Sequence, residues 1–276
     1  MKHSTGRGRR LAVANQKGGV GKTTTAISVA AALALLEKDV LLVDFDPQGN
    51  STGGLGIDKA TLGATVYDWL VGQAPFSEAV RSTELAHLSL LPASRELVGA
   101  EIELVGAERR EFLLADRLAE IPARFDHVLI DCPPSLGLLT INALTAADGV
   151  LVPIQCEYFA LEGVSELLAT IERVRASLNP ALSIAGVLAT MWDDRLNLSR
   201  QVLEEVRRYF GEALFKTVVP RNVRLGEAPS FGKPIFLYDV KSRGAEAYLG
   251  IARELLEREA GESSGAAEPV AAGGTP

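Results

Sequence analysis

Apolar runs recur along the chain, and they are apolar throughout rather than alternating with polar positions. They begin at Leu11 (LAVAN), Val40 (VLLVDFD), Leu88 (LSLLPAS), His127 (HVLIDCPPS), Gly149 (GVLVPIQ), Ile184 (IAGVLATMW) and Lys216 (KTVVPRN). Strands that keep no polar face are buried on both sides, as in a parallel sheet sandwiched by helices. Helical patterns fill the intervals, among them 22–36, 138–147, 162–178 and 198–210. The alternation predicts an α/β fold, a doubly wound and mostly parallel sheet flanked by helices. Ligands of such sheets bind at the carboxyl ends of the strands, where the polar motifs of this chain follow the runs. Residues 53–85 break the rhythm and predict short helices and loops, and no internal repeat is present.

With 276 residues, 47% of them hydrophobic, the chain has material for one large domain and is too apolar for a disordered protein. We expect that domain over residues 11–258, a flexible basic arm over 1–10 and a disordered Pro/Gly-rich tail over 259–276. No run of about 18 apolar residues exists to span a membrane. The start, MKHSTGRGRR, lacks the apolar core of a secretory signal. Two cysteines, Cys132 and Cys156, suit a reducing cytosol and read as small buried filler. The formal net charge of −7 argues against nucleic acid, but its distribution does not. Residues 190–253 hold 11 Lys/Arg against 8 Asp/Glu, so they carry +3 and the remainder −10. A basic region on an acidic body can bind phosphate backbones while the body keeps the protein soluble.

The first apolar run leads into NQKGGVGKTTT, residues 15–25. The glycines Gly18, Gly19 and Gly21 let backbone N–H groups turn inward around a phosphate, and the helix that opens at Lys22 adds its partial positive charge. Lys22 is placed to reach β- and γ-phosphate oxygens, and the Thr23 hydroxyl to ligate Mg²⁺. Val20 and Thr24 complete the loop. One feature departs from the usual phosphate loop: Gln16 stands where a glycine is expected, and a second lysine, Lys17, follows it. A nucleotide-hydrolysing site also needs acids near the metal. Asp44 and Asp46 end the second run, and Asp131 ends the fourth in the manner of a Walker B strand. Pro47-Gln48-Gly49 after Asp46 forms a turn able to move with a γ-phosphate.

Together KGGVGKTT, DFDPQGN, LIDCPPS and PRNVRLGEAPSFGKPI resemble the ParA/Soj family of partitioning ATPases, of the deviant Walker A class of P-loop NTPases that also includes MinD. The resemblance runs from about Leu11 to Leu256 and is closest to the small, chromosomal members. It implies an ATPase using ATP and Mg²⁺. It also gives the early lysine a role: Lys17 reaches across an ATP-bound homodimer to the partner's nucleotide, while Lys22 serves its own. Asp46 would orient or polarise the attacking water, and Asp131 would hold the metal's water shell, with Thr23 and Asp46 beside it. Asp44 is assigned to support of the metal region or the fold. Pro220 and Asn222 would line the adenine pocket, Asn being able both to donate to and accept from a base edge.

The same resemblance implies non-specific binding of double-stranded DNA by the ATP-loaded dimer. The candidate contacts are Arg195, Arg221, Arg224, Lys233, Lys241 and Arg243, of which two or three are expected to be structural ion-pair partners instead. The arm, with Lys2, Arg7, Arg9 and Arg10, would add to them. A ParB/Spo0J-type centromere-binding protein would stimulate hydrolysis, and the protein would sit in the cytoplasm on the nucleoid. Two rivals share the loop and the carboxylates. A MinD-like membrane-cycling ATPase needs a basic amphipathic C-terminal helix, which GESSGAAEPVAAGGTP does not supply. A DNA-binding regulatory switch acting on replication would use hydrolysis only as a slow timer.

Overall fold

Along the first strand, β1 (Arg9–Val13), Ala12 enters one hydrophobic core while Leu11 and Val13 enter another. In β2 (Val40–Asp44), Leu41 and Val43 join the first core and Val40 and Leu42 the second. Both faces are covered, which is why these runs show no polar alternation. The computed structural model describes residues 7–157 and 162–265. The other strands are β3 (Arg81–Ser82), β4 (Leu88–Leu91), β5 (His127–Asp131), β6 (Gly149–Gln155) and β7 (Ser183–Thr190). Their order is β3-β4-β2-β5-β1-β6-β7, and every pairing is parallel except β3 with β4.

The helices are α1 (Lys22–Leu35), α2 (Asn50–Gly54), α3 (Val66–Leu70), α4 (Phe76–Ala79), α5 (Leu97–Glu103) and α6 (Leu113–Ala119). They continue with α7 (Leu138–Ala146), α8 (Glu162–Ser177), α9 (Asn197–Phe210), α10 (Val223–Glu227), α11 (Ile235–Tyr238) and α12 (Arg243–Gly265). The first core packs α3 to α9 on one face of the sheet; the second packs α1, α10, α11 and α12 on the other. Helix α1 is rich in alanine and buried along most of its length, and the Thr25 and Tyr248 hydroxyls, 3.0 Å apart, pin it to α12. Residues 53–85 fold into short helices and loops, as their pattern predicts, and also supply the two-residue strand β3.

Three expectations are corrected. KTVVPRN forms no strand, although Phe215 N donates to Val187 O at 2.9 Å and Val219 N to Ala189 O at 2.8 Å. The reason is Glu254 on α12, whose carboxylate takes the N–H groups of Lys216 and Thr217 at 2.8 Å each and so interrupts a ladder with β7. Arg9 and Arg10 belong to β1 and not to a flexible arm: Arg10 is 8% exposed and donates to Leu118 O at 2.7 Å. Helix α12 continues past residue 258, where Glu259 is buried and bonds His127 Nε2 at 3.0 Å. Residues 1–6 of the arm and 266–276 of the tail lie outside the described residues.

Candidate functional site

Where β1 ends, Ala14 N still reaches Leu151 O on β6, and the chain then leaves the sheet through Asn15. The Asn15 side chain donates to Pro153 O at 2.8 Å and accepts from Lys17 N at 3.0 Å, which sets the first turn of the loop. Gly19 and Gly21 follow in the left-handed region, with φ of 77° and 90°, so the turn needs glycine at both. Val20 is buried between them, and its carbonyl accepts from Thr190 Oγ1 on β7 at 2.9 Å. A Cβ added at Gly18, Gly19 or Gly21 would meet nothing within 4 Å, so the concave side of the loop is open. Helix α1 begins there without a side-chain cap, leaving its first N–H groups to that space.

Lys22 is 7% exposed and folds back on the loop, Nζ donating to Lys17 O at 2.9 Å. Burial draws its pKa down, while Asp131, Cys132 and Asp46 push it up. Strands β2 and β5 lie side by side with Asp44 opposite Asp131, which places two buried carboxylates next to one another. Both are raised above the ordinary carboxylate range by burial first; Asp131 is also raised by the charge of Asp44. Asp44 is satisfied: its Oδ2 accepts from Thr52 N at 2.7 Å and Thr52 Oγ1 at 2.6 Å. Asp131 accepts from Ser51 Oγ through Oδ2 at 2.8 Å, the Thr23 hydroxyl is near enough to draw its pKa down, and its other oxygen, Oδ1, is buried with no close hydrogen-bond partner among the described residues. Asp46, 5% exposed, accepts from Gln48 N at 2.9 Å and fixes the turn over Pro47-Gln48-Gly49.

An orphaned carboxylate oxygen, a like-charged neighbour and a buried ammonium next to an open loop make up the donor set of a Mg²⁺–phosphate site. Among the described residues no three His, Cys, Asp or Glu side chains converge on a ready-made metal cage. That agrees with Mg²⁺, which takes one or two carboxylates and leaves its remaining positions to water and phosphate. Thr23, Asp46 and Asp131 fit this demand. The thiols of Cys132 and Cys156 are buried and unlinked. Burial raises both, that of Cys156 to about 11, so neither is a nucleophile.

Lys17 stands apart from this group. Its side chain lines a surface cleft of about 370 Å³ with Cys156, Met191, Leu196, Leu198 and Arg221. Pro220 bridges to Trp192 beside β7, and Asn222 caps α10, its Oδ1 accepting from Arg224 N at 2.9 Å. One lone pair of that amide oxygen is thereby used, and its second lone pair and Nδ2 remain as acceptor and donor. Thr24 and Ile27 share a crevice with Leu225, Ala228 and Pro229, so the segment after Asn222 borders the first turns of α1.

Of the six basic candidates, four are ion-paired, more than the two or three expected. Arg195 chelates Asp193 (2.7 Å), Arg221 approaches Glu157 (3.6 Å), Arg224 is shared by Glu227 and Asp239, and Lys233 lies 3.8 Å from Glu84. Lys241 and Arg243 have no ion-pair partner among the described residues. Sequence reasoning missed Ser51 and Thr52, which hold two of the three carboxylates. The available signal was a Ser-Thr pair directly after the turn that follows a strand-end aspartate.

The family model described as an AAA domain matches residues 8–184. Chromosome partitioning protein ParA of Myxococcus xanthus is 55% identical over 256 residues, 93% of this chain and 90% of that protein. Sporulation initiation inhibitor protein Soj of Bacillus subtilis is 56% identical over 248 residues, 90% of this chain and 98% of that one. Among solved structures, cobyrinic acid a,c-diamide synthase from Mycobacterium smegmatis with bound ADP and magnesium superposes with a TM-score of 0.82 at 42% identity. It covers 92% of this chain and 96% of that one. With the loop, the paired carboxylates and these relatives together, the chain belongs to the ParA/Soj family of chromosome-partitioning ATPases.

Proposed function

We propose that ATP closes two copies of this chain into a sandwich dimer that binds double-stranded DNA without sequence preference, and that hydrolysis stimulated by a ParB-type partner releases it. The observation that carries this reading is the division between the loop's two lysines. Lys22 is buried, folded back on the loop and under the charge of Asp131 and Asp46, whereas Lys17 lies in a surface cleft beside Leu196 and Leu198, which are 52% and 42% exposed. A second copy seated on that face would cover the apolar residues and receive Lys17 at its own nucleotide.

The backbone N–H groups of Gly18, Gly19, Val20, Gly21 and Thr24 bind the phosphates, and Lys22 exchanges its bond to Lys17 O for a phosphate oxygen. Thr23, Asp46 and Asp131 would hold Mg²⁺, Asp131 directly or through water, and the ion would supply neutralisation of phosphate charge. Asp46 orients the water that attacks the γ-phosphorus as ADP leaves. Lys22, and Lys17 of the second copy, stabilise the charge that develops. Pro220 and Asn222 border the adenine. Arg195, Arg221, Arg224, Lys233, Lys241 and Arg243 face the DNA phosphates, and dimerisation doubles the set.

The test is DNA binding by the purified protein with ATP, with ADP and with neither, at two salt concentrations. Binding that requires ATP and weakens steeply with salt is expected. Equal binding in all three states, or none, overturns the reading. Among the described residues no helix is long and apolar enough to cross a membrane. Co-flotation with anionic liposomes, which is not expected, would favour the membrane-cycling alternative.

A further inference from the structure

Helix α2 touches both the carboxylates and the basic segment. At its start, Ser51 Oγ donates to Asp131 and Thr52 donates twice to Asp44, so two of its residues are tied to the ends of β5 and β2. The turn leading into it is fixed to Asp46, with Gln48 N on Asp46 Oδ1 at 2.9 Å and Gly49 N on Asp46 O at 2.8 Å. At its far end the chain reverses through Gly56, φ 76°, and meets Gly232, φ 63°, backbone against backbone. A Cβ on Gly56 would stand 2.8 Å from the Gly232 carbonyl oxygen, and one on Gly232 would stand 2.6 Å from Gly56 Cα. Neither position has room for a side chain, and a Cβ at Gly54 would also lie 3.7 Å from Pro229 Cβ.

Gly232 ends the short turn Ala228–Phe231, and that turn is tied to the segments on either side of it. The Phe231 ring stacks on Tyr238 at 5.1 Å, the Tyr238 hydroxyl donates to Glu227 at 3.0 Å, and Glu227 pairs with Arg224 at 2.8 Å. Lys233 follows Gly232 directly and is tied back through Lys233 N to Ala228 O at 3.2 Å. Arg224 and Lys233 are two of the six basic candidates, so their placement depends on where this unit rests.

We propose that the Gly56–Gly232 contact is the joint through which the nucleotide site positions the basic segment 224–233. A phosphate or metal that engages Asp46 or Asp131 Oδ1 acts on the same carboxylates that Ser51 and the 46–49 turn hold. Helix α2 has only five residues, so a shift at its start reaches Gly56 within about 8 Å of helix axis. Two glycines in backbone contact leave no side chain to absorb the movement, and the unit carrying Arg224 and Lys233 moves with them. This inference rests on the ATP-switched DNA reading for its consequence, but not for its geometry.

Hydrogen exchange on the full-length protein without DNA tests the joint directly, comparing Mg²⁺ with a non-hydrolysable ATP analogue against Mg²⁺ with ADP. Amides of 50–57 and of 228–233 are expected to change together, by about threefold or more in rate. A change confined to 15–25 and 44–52, with 228–233 identical in the two states, overturns the proposal. The second arm is Gly56→Ala, its folding checked by circular dichroism. It is expected to bind the ATP analogue within about twofold of the parent, yet to lose the parent's ratio of ATP-state to ADP-state DNA affinity, of about tenfold or more. A variant that keeps the parent's ratio refutes the joint. If the parent itself shows no such ratio, the DNA reading has failed, and the exchange experiment still decides the joint.

Discussion

The two ends of the central strands bury charge in opposite ways. At the amino ends the buried carboxylate has a cation beside it: Glu259 lies 3.4 Å from Arg9 and bonds His127 Nε2 at 3.0 Å. At the carboxyl ends, Asp44 lies against Asp131, Asp131 Oδ1 is buried with no close hydrogen-bond partner among the described residues, and Lys22 donates to a carbonyl instead of a carboxylate. Matched buried charge belongs to the fold, because a lost partner leaves an uncompensated ion. Mismatched buried charge costs stability and persists where a ligand completes it.

The sharpest way to break this comparison is Lys22→Ala. We expect hydrolysis to fall about a thousandfold, about 4 kcal/mol of transition-state stabilisation. Phosphate release measures it, and turnover within a few-fold of the parent would remove Lys22 from the site. At the opposite end, Glu259→Ala should destabilise the fold by about 3 kcal/mol and leave hydrolysis per folded molecule unchanged. Urea unfolding reads the first and phosphate release the second. A loss of turnover with no loss of stability would reverse the roles of the two ends.

The mismatch also has a pH signature. Asp44 and Asp131 have folded pKa values raised by burial above their unfolded ones. Each therefore contributes stability that is fully present below the unfolded pKa of about 4 and is lost as pH rises through the raised folded value. The ligand-free protein should melt at progressively lower temperature from about pH 5 to about pH 8, and Mg²⁺ with an ATP analogue should restore more at the alkaline end. Asp131→Asn should flatten the slope. A ligand-free melting temperature that holds steady or rises over that range would show that these carboxylates are not strained by their site.

Much of this division could be read from the chain, and the exceptions share a cause. Gly19 and Gly21 were legible because only glycine suits their backbone, and Asp46 and Asp131 because they end runs of buried residues. The task proposed for Lys17 comes only through family resemblance, since spacing alone says nothing about a second copy. KTVVPRN failed as a strand because an apolar run reports burial and not pairing, and the acceptor of its N–H groups, Glu254, sits on the last helix. Ser51 and Thr52 went unread because their carboxylate partners are set by sheet register.

The basic set shows the same limit at the surface, and it yields the smallest effect. A charge count assigns equal weight to all six residues, but the structure does not. The exposed Arg195 is offset by the largely covered carboxylate of Asp193, while Lys241 carries its charge without an ion-pair partner among the described residues. A lysine without a competing carboxylate neutralises a phosphate fully, so Lys241→Ala should lower the slope of log affinity against log salt by about 0.9 per site lost. Arg195→Ala removes a cation whose charge Asp193 already offsets, and it exposes that carboxylate to the DNA. Its slope should change less, while affinity at low salt still falls through repulsion. Equal slopes for the two variants would mean that Arg195 leaves Asp193 when DNA binds, and that the surface pairs are broken in the complex.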